Sequence, residues 1–423
     1  MSTGTDTFLP GSPGITGLPE LRQVLGAAAV GAGLSLAEGP AGALTDAQAR
    51  LTARAWGLED PPTGAGTVVV LVDGLGLDQL RERRGHAPRL RSWLSQAEAA
   101  GAPGPAAVTC CPSTTAAALT TLGTGAGPGL TGMVGYSILN PLLGRDLPPG
   151  TVPSGERNLC LITWEGQSPD PRAWQDVPTI FERIDGARGP RPAVVSIGPA
   201  RFAGSGLTEA GLRGATHLGI DRLEDRPAAA AQALGRGTPL VYLYVGELDH
   251  TGHAQGWRSA PWLVQLERLD AAMTDLLRRV PRGTRVVLTA DHGMVDTDES
   301  RRIDLTAHPA LLRDVVAVAG EPRFTQLHVP GSDPDTAREV AHRWREELGE
   351  RALWIGTRDQ APELVGPLGP RARAVLGDVL VAMAGRWVVL DPRVHSPGAI
   401  AMPGVHGSAT RAEMTVPLLL AEA

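Results

Sequence analysis

The chain has 423 residues, 42% of them apolar, which is enough for one large α/β domain with an insertion or for two domains. Its net charge of -6 balances 45 acidic residues against 39 bases, all of them Arg, and without any basic run it excludes a dedicated nucleic-acid binder. Cys110, Cys111 and Cys160 are odd in number and two are adjacent, so a reducing, cytoplasmic setting is expected rather than a disulfide framework, and no apolar run approaches the roughly 20 residues of a membrane span.

Residues 1–66 are rich in Gly, Pro and Ala and are expected to form an N-terminal extension packed on the core. The start, MSTGTDTFLPGSPG, lacks the basic residues of a secretory signal. VLGAAAVGAGLSLA (24–37) reads as helix or loop rather than as an export signal, and LTDAQARLTARAWG (44–57) as a helix. Thr67–Val72 is a continuous β-branched run ending in Asp73-Gly74, the pattern of a strand buried on both faces. CPSTT (111–115) followed by AAALTTLG opens a helix: Pro and Ser/Thr start it, Ala and Leu continue it. Further strand-like runs are PAVVSIG (192–198), PLVYLYVG (239–246) and TRVVLTADHG (284–293). Helical patterns lie between them, at PTIFERIDGA (178–187), PAAAAQALG (227–235) and the long segment 260–280. Strands alternating with helices predict a doubly wound, mostly parallel sheet with helices on both faces. Residues 301–395 mix short strands with the helix DTAREVAHRWREELG and read as a small α+β insertion, a cap. Residues 396–423 return to the 67–300 catalytic core, with a last strand in EMTVPLLLAEA.

Asp73, Asp249 and Asp291 each fall just after one of these runs. In open α/β sheets, ligands bind outside the carboxyl ends of the strands, so the three carboxylates are expected to converge. Asp249-x-x-x-His253 places two ligands one helical turn apart. Asp291 and His292 are neighbours, and His406 follows in PGVHGS. His and carboxylate together suit zinc and tolerate manganese or iron. Taken singly, Asp73 is an ordinary turn residue, Thr115 an ordinary helix start and Asp291-His292-Gly293 a loop turn. Together, three Asp, three His and one hydroxyl are the inventory of a two-metal hydrolytic site with its own nucleophile. His250 is read as a surface or supporting residue, His308, His328, His342 and His395 as structural, and Trp257 and Trp262 as packing.

In kind and order these motifs resemble the alkaline phosphatase superfamily, and within it the type I phosphodiesterase/nucleotide pyrophosphatase branch, over residues 67 to 423. The resemblance implies an alkaline-phosphatase-like fold, two divalent metals and a phosphothreonine intermediate. The family places its nucleophile three residues after the Pro of a F-P-x-x-T motif, which is Thr115 here, with Thr114 as the near alternative. Asp249, His253 and His406 would hold one metal. Asp73, Asp291, His292 and the Thr115 oxygen would hold the other. The implied substrate is a small phosphate ester or nucleotide, with no stable nucleic-acid or membrane partner and the oligomeric state left open.

The chain departs from the family after the nucleophile helix. Where the family has His-Gly…Asn, this sequence reads LTGMVGY, with Thr131 for the His and Tyr136 near the Asn position. Tyr136 and Trp164 are therefore carried as candidate substrate contacts, with core packing as the alternative for Trp164. A phosphomonoesterase of the same superfamily is the second reading. Cys110-Cys111-Pro112-Ser113 resembles the start of the sulfatase C-x-P-S-R motif, but Thr114 stands where the Arg should be. A metal-binding protein without catalysis would be favoured by loss of a ligand, and all seven are present.

Overall fold

Burial on both faces explains why the β-branched runs come together. The computed structural model describes residues 17–59, 66–143, 153–185 and 191–423; residues 1–16 and 60–65 of the expected N-terminal extension lie outside them. In chain order, the elements of the first half are α1 (Leu21–Gly31), α2 (Asp46–Ala55), β1 (Thr67–Val72), α3 (Pro88–Ala100), β2 (Ala106–Val108), α4 (Thr115–Thr124), β3 (Val194–Gly198), α5 (Gly206–Gly211) and β4 (Thr216–Gly219). There follow α6 (Arg226–Gly235), β5 (Leu240–Val245), α7 (Glu247–Gln255), α8 (Ala260–Arg279), β6 (Arg285–Ala290), β7 (Ala317–Glu321), β8 (Phe324–His328), α9 (Pro334–Leu348), β9 (Ala352–Thr357), β10 (Val379–Met383) and β11 (Thr415–Glu422).

The central sheet has seven strands in the order β2-β11-β6-β1-β5-β3-β4. From β6 to β4 all neighbours are parallel. Only β11 runs against the rest, pairing antiparallel with both β6 and β2. All six residues of β1 are buried, because helices cover both sides. On one face α1 lies on β1 and α4, and α4 on α5; on the other, α8 packs against α3 and α6, which rest on β11 and β5. The α8 stripe of Trp262, Leu266, Leu269, Met273 and Leu276 is buried at helical spacing, and Ser259 caps the helix by accepting from the Trp262 N–H. Helix α4 has no polar face to spare: every residue after Thr115 is buried. It is built of small residues because α5 crosses it closely, and a Cβ on Gly123 would lie 1.8 Å from the Gly211 carbonyl oxygen.

Two sequence expectations change here. VLGAAAVGAGLSLA is a buried helix only as far as Gly31, after which Ser35–Leu36 forms a short strand. PTIFERIDGA is helical over only Ile180–Arg183. Thr179 and Glu182 form a capping box that starts the helix, but Ile184 turns extended and pairs with Leu36. Long-range strand pairing overrides the local helical pattern there.

Residues 317–383 carry a second, four-stranded antiparallel sheet, β7-β8-β10-β9. Its two faces are read off the alternation in β10. Val379, Val381 and Met383 join Val340 and Trp344 of α9 in a core of their own, whereas Leu380 and Ala382 join Phe324 and the main core. The sheet is thus sandwiched between its own helix and the body of the protein. Among the described residues, no helix is long and apolar enough to cross a membrane.

Candidate active site

The register of the central sheet sets the site. Val72, Val245 and Ala290 lie abreast at the ends of β1, β5 and β6. Asp73 and Asp291 are the next residues on their chains, and Asp249 lies in the first turn of α7, directly after β5. The close fit depends on Gly74. Its φ of +73° is left-handed, a Cβ there would come within 2.9 Å of the Asp249 Cβ, and its N–H donates to Asp291 Oδ1 at 3.1 Å.

The histidines complete the cluster. His253 is one turn beyond Asp249, with Nε2 3.4 Å from Asp249 Oδ1. His406 Nε2 lies 3.2 Å from His253 Nε2 and 3.8 Å from Asp249 Oδ1. His292 Nε2 is 3.5 Å from both Asp73 Oδ1 and Asp291 Oδ2. The His292 and His406 rings stack with centroids 3.6 Å apart. Each imidazole is held from behind by a main-chain carbonyl at Nδ1: His253 by Gly404, His292 by Gly293 and His406 by Ser113, at 2.8, 3.1 and 2.9 Å. A carbonyl can only accept, so Nδ1 carries the proton and the Nε2 lone pairs face inward.

This arrangement fits divalent metals. Two inward lone pairs 3.2 Å apart, on His253 and His406, repel unless a cation lies between or beside them. Asp73 Oδ1, Asp249 Oδ1 and Asp291 Oδ2 are buried with no hydrogen-bond donor. Burial is the main force pushing all three carboxyls above their ordinary range, and for Asp73 the neighbouring Asp291 and Asp249 add to it. Burial likewise pushes His292 down and His406 well down. Bound cations would relieve both costs. Two groups have one ligand atom per residue within 4.8 Å of one another: Asp249, His253 and His406, and Asp73, Asp249 and His292. Asp249 therefore stands between the two positions, where the resemblance assigned it to one alone.

Thr115 is the first residue of α4, with Thr114 as its N-cap. Its Oγ1 lies 3.2 Å from His292 Nε2. Thr114 is fully buried behind it. The Cys110 thiol donates to the Pro112 carbonyl, and burial pushes it up to about 12. Trp164 is buried; its indole N–H donates to the Leu161 carbonyl and its ring covers Gly206, so it packs beneath the site. Tyr136 is exposed, and its backbone N–H is directed at Glu321 Oε1 at 3.4 Å. Thr131 is buried and shapes a turn, its hydroxyl donating to the Pro128 carbonyl.

Several residues at the site escaped the sequence reading. Tyr244, on β5, donates its hydroxyl to Asp73 Oδ2 at 2.5 Å. Alternation within VYLYV, which puts Tyr242 and Tyr244 on one face of the strand, was the available signal. Glu321, at the end of β7, reaches from the insertion to the Tyr136 N–H and is buried, its carboxyl pushed up to about 8 by that burial. A cavity of about 530 Å³ opens beside Thr115, between α4, the 162–165 segment and the 196–217 segment.

A family model for type I phosphodiesterase/nucleotide pyrophosphatase matches residues 67–408. No curated protein matches the chain. Among solved structures, phosphonoacetate hydrolase from Sinorhizobium meliloti in complex with phosphonoformate is similar at a TM-score of 0.61 and 18% identity, over 85% of this chain and 90% of that one. An inactive murine ectonucleotide pyrophosphatase/phosphodiesterase 5 in complex with AMP is similar at a TM-score of 0.59 and 16% identity, over 84% and 87%. The human counterpart gives 0.58 and 16%, over the same shares. At these identities the structural likeness speaks for the fold.

Proposed function

The chain belongs to the type I phosphodiesterase/nucleotide pyrophosphatase family, and from that premise we propose that it cleaves phosphodiester or nucleotide pyrophosphate bonds through a phosphothreonine on Thr115. The observation that carries this reading is the position of the Thr115 hydroxyl: at a helix N-terminus and 3.2 Å from His292 Nε2, beside three carboxylates that each keep one buried oxygen without a donor among the described residues.

Asp249, His253 and His406 would hold one divalent metal, and Asp73, Asp291, His292 and Thr115 a second, with Asp249 facing both. Zinc suits this donor set best, with manganese or iron as substitutes. When bound, such metals supply Lewis acidity toward the attacking and leaving oxygens. The protein's own residues do the rest. The first-turn N–H groups of α4 orient a phosphoryl oxygen. The Thr115 oxygen bonds to phosphorus as the ester bond to the leaving alcohol breaks. Water then displaces Thr115, and two in-line displacements retain configuration at phosphorus. Residues 301–395 act as the cap in this reading, and Glu321 is their contribution beside the nucleophile. The three free cysteines fit a cytosolic site of action. AMP in the murine relative makes a nucleotide one candidate substrate.

The test is acid quenching of zinc-loaded protein during turnover of bis-p-nitrophenyl phosphate, followed by peptide mass spectrometry. A p-nitrophenylphosphoryl group on Thr115 is expected, one p-nitrophenolate having left. Turnover with no such adduct, and with inversion at phosphorus in a P-chiral diester, would refute the mechanism.

A further inference from the structure

The chain holds only three Tyr and four Phe. Two of those tyrosines, Tyr242 and Tyr244, and one phenylalanine, Phe202, line the cavity beside Thr115. In a chain so poor in aromatic residues, this concentration marks the cavity as built for a ring. Phe202 and Tyr244 meet edge to face, with centroids 5.5 Å apart at 86°. Leu119, Ile197 and Leu207 supply aliphatic wall around them.

Several polar groups of the wall are already engaged. His217 Nε2 lies 3.2 Å from the Pro199 carbonyl, so it carries the proton, and Nδ1 faces the Ser196 hydroxyl at 3.4 Å. Ser205 and Thr208 bond to each other at the start of α5. The Tyr244 hydroxyl is given to Asp73. The Tyr242 hydroxyl is buried and has no partner among the described residues, and it feels Asp73 and Asp291. An ester oxygen of the bound phosphoryl group would accept from it. Arg201 and Glu165, both exposed, give the mouth one charge of each sign and no field that selects an ionic group.

We infer that this cavity takes a planar aromatic ester group without hydrogen-bonding edges, an aryl phosphoester in preference to a nucleoside one. The inference rests on the phosphoester reading of Thr115 above. The cavity volume falls within the usual range for small-molecule sites, so a phenyl or naphthyl group fits with room to spare. A nucleobase would fit too, but the wall of the cavity is mostly carbon, so part of its polar edge would go unmatched, which costs affinity.

The test separates binding from turnover. Zinc-loaded protein is titrated calorimetrically with phenylphosphonate, methylphosphonate and thymidine 5′-monophosphate. Burial of the ring predicts phenylphosphonate binding about tenfold or more tighter than methylphosphonate, with the nucleotide below the phenyl ligand. The same preference is expected to shrink to about threefold or less in Phe202→Ala, which opens the aromatic corner and leaves every metal ligand in place. Equal affinities, or a nucleotide that binds as tightly as phenylphosphonate, would overturn the inference. Turnover of methyl diphosphate, read by phosphorus NMR, is measured in parallel. It carries no ring, so its hydrolysis reports on the phosphoester reading alone.

Discussion

Arg323, on the turn between β7 and β8 of the insertion, and Glu413, just before β11 of the core, form a two-point ion pair with both side chains fully buried, at 3.0 and 2.6 Å. Glu413 also accepts from the Ser408 N–H and the Thr410 hydroxyl, and the Arg323 guanidinium donates to the Ala384 and Trp387 carbonyls. The pair joins the second sheet to the loop that carries His406. Arg323→Ala strands a buried carboxylate and is expected to cost about 3–5 kcal/mol. Urea unfolding checks this: a loss under about 1 kcal/mol would mean that the pair is not buried in solution.

Thr115→Ala is expected to lower turnover of a phosphodiester by about a thousandfold or more, because among the described residues no other hydroxyl is hydrogen-bonded to His292. Zinc content, read by atomic emission after gel filtration, should stay near that of the wild type, since the carboxylates and imidazoles remain. Thr115→Ser should keep measurable activity. Full activity in the Ala variant would place the nucleophile elsewhere.

Tyr244→Phe removes the hydroxyl that holds Asp73 and leaves the ring against Phe202. Loss of a hydrogen bond to a metal-ligating carboxylate typically weakens metal binding by about 10- to 100-fold. Competition with a chromophoric chelator measures the zinc affinity, and circular dichroism should show the fold unchanged. An unaltered affinity would remove Tyr244 from the site's support.

Glu321 gives a pH dependence. Its carboxyl is pushed from an ordinary 4.5 to about 8 by burial, so the folded protein keeps a proton that the unfolded chain releases. The stabilising contribution is therefore complete below pH 4.5 and is lost as the pH rises through 8. Glu321→Gln carries no such loss and can still accept from the Tyr136 N–H. The variant and the wild type should unfold alike in urea at pH 5, and the variant should be ahead by on the order of 1 kcal/mol or more at pH 9. A wild type equal to the variant at both pH values would mean that Glu321 is ionised without cost in the fold.

The ligands were legible because each sits where a local pattern ends. Asp73 and Asp291 close β-branched runs, and Asp249 and His253 are spaced by one helical turn, so sheet register and helix geometry suffice to bring them together. The parallel core was legible for the same reason. Glu321 and Arg323 were not, because the hairpin that presents them is an ordinary strand–turn–strand in sequence and meets Tyr136 and Glu413 only through tertiary packing. Tyr244 was hidden inside a run that reads simply as buried. Ile184 misled in the opposite direction: its helical neighbourhood gave way to a strand partner about 150 residues earlier.

The three imidazoles are aimed by the carbonyls of Gly293, Gly404 and Ser113. At Ser113 the carbonyl survives a change of side chain, but a Cβ on Gly293 would lie 2.0 Å from the Ala412 carbonyl oxygen and one on Gly404 2.2 Å from that of Gly252. Substitutions at those two glycines must move the backbone, so they are the outer positions at which histidine orientation is expected to change. The bearing of His253 and His292 is thus tied to two close backbone crossings, those of Gly404 with Gly252 and of Gly293 with Ala412.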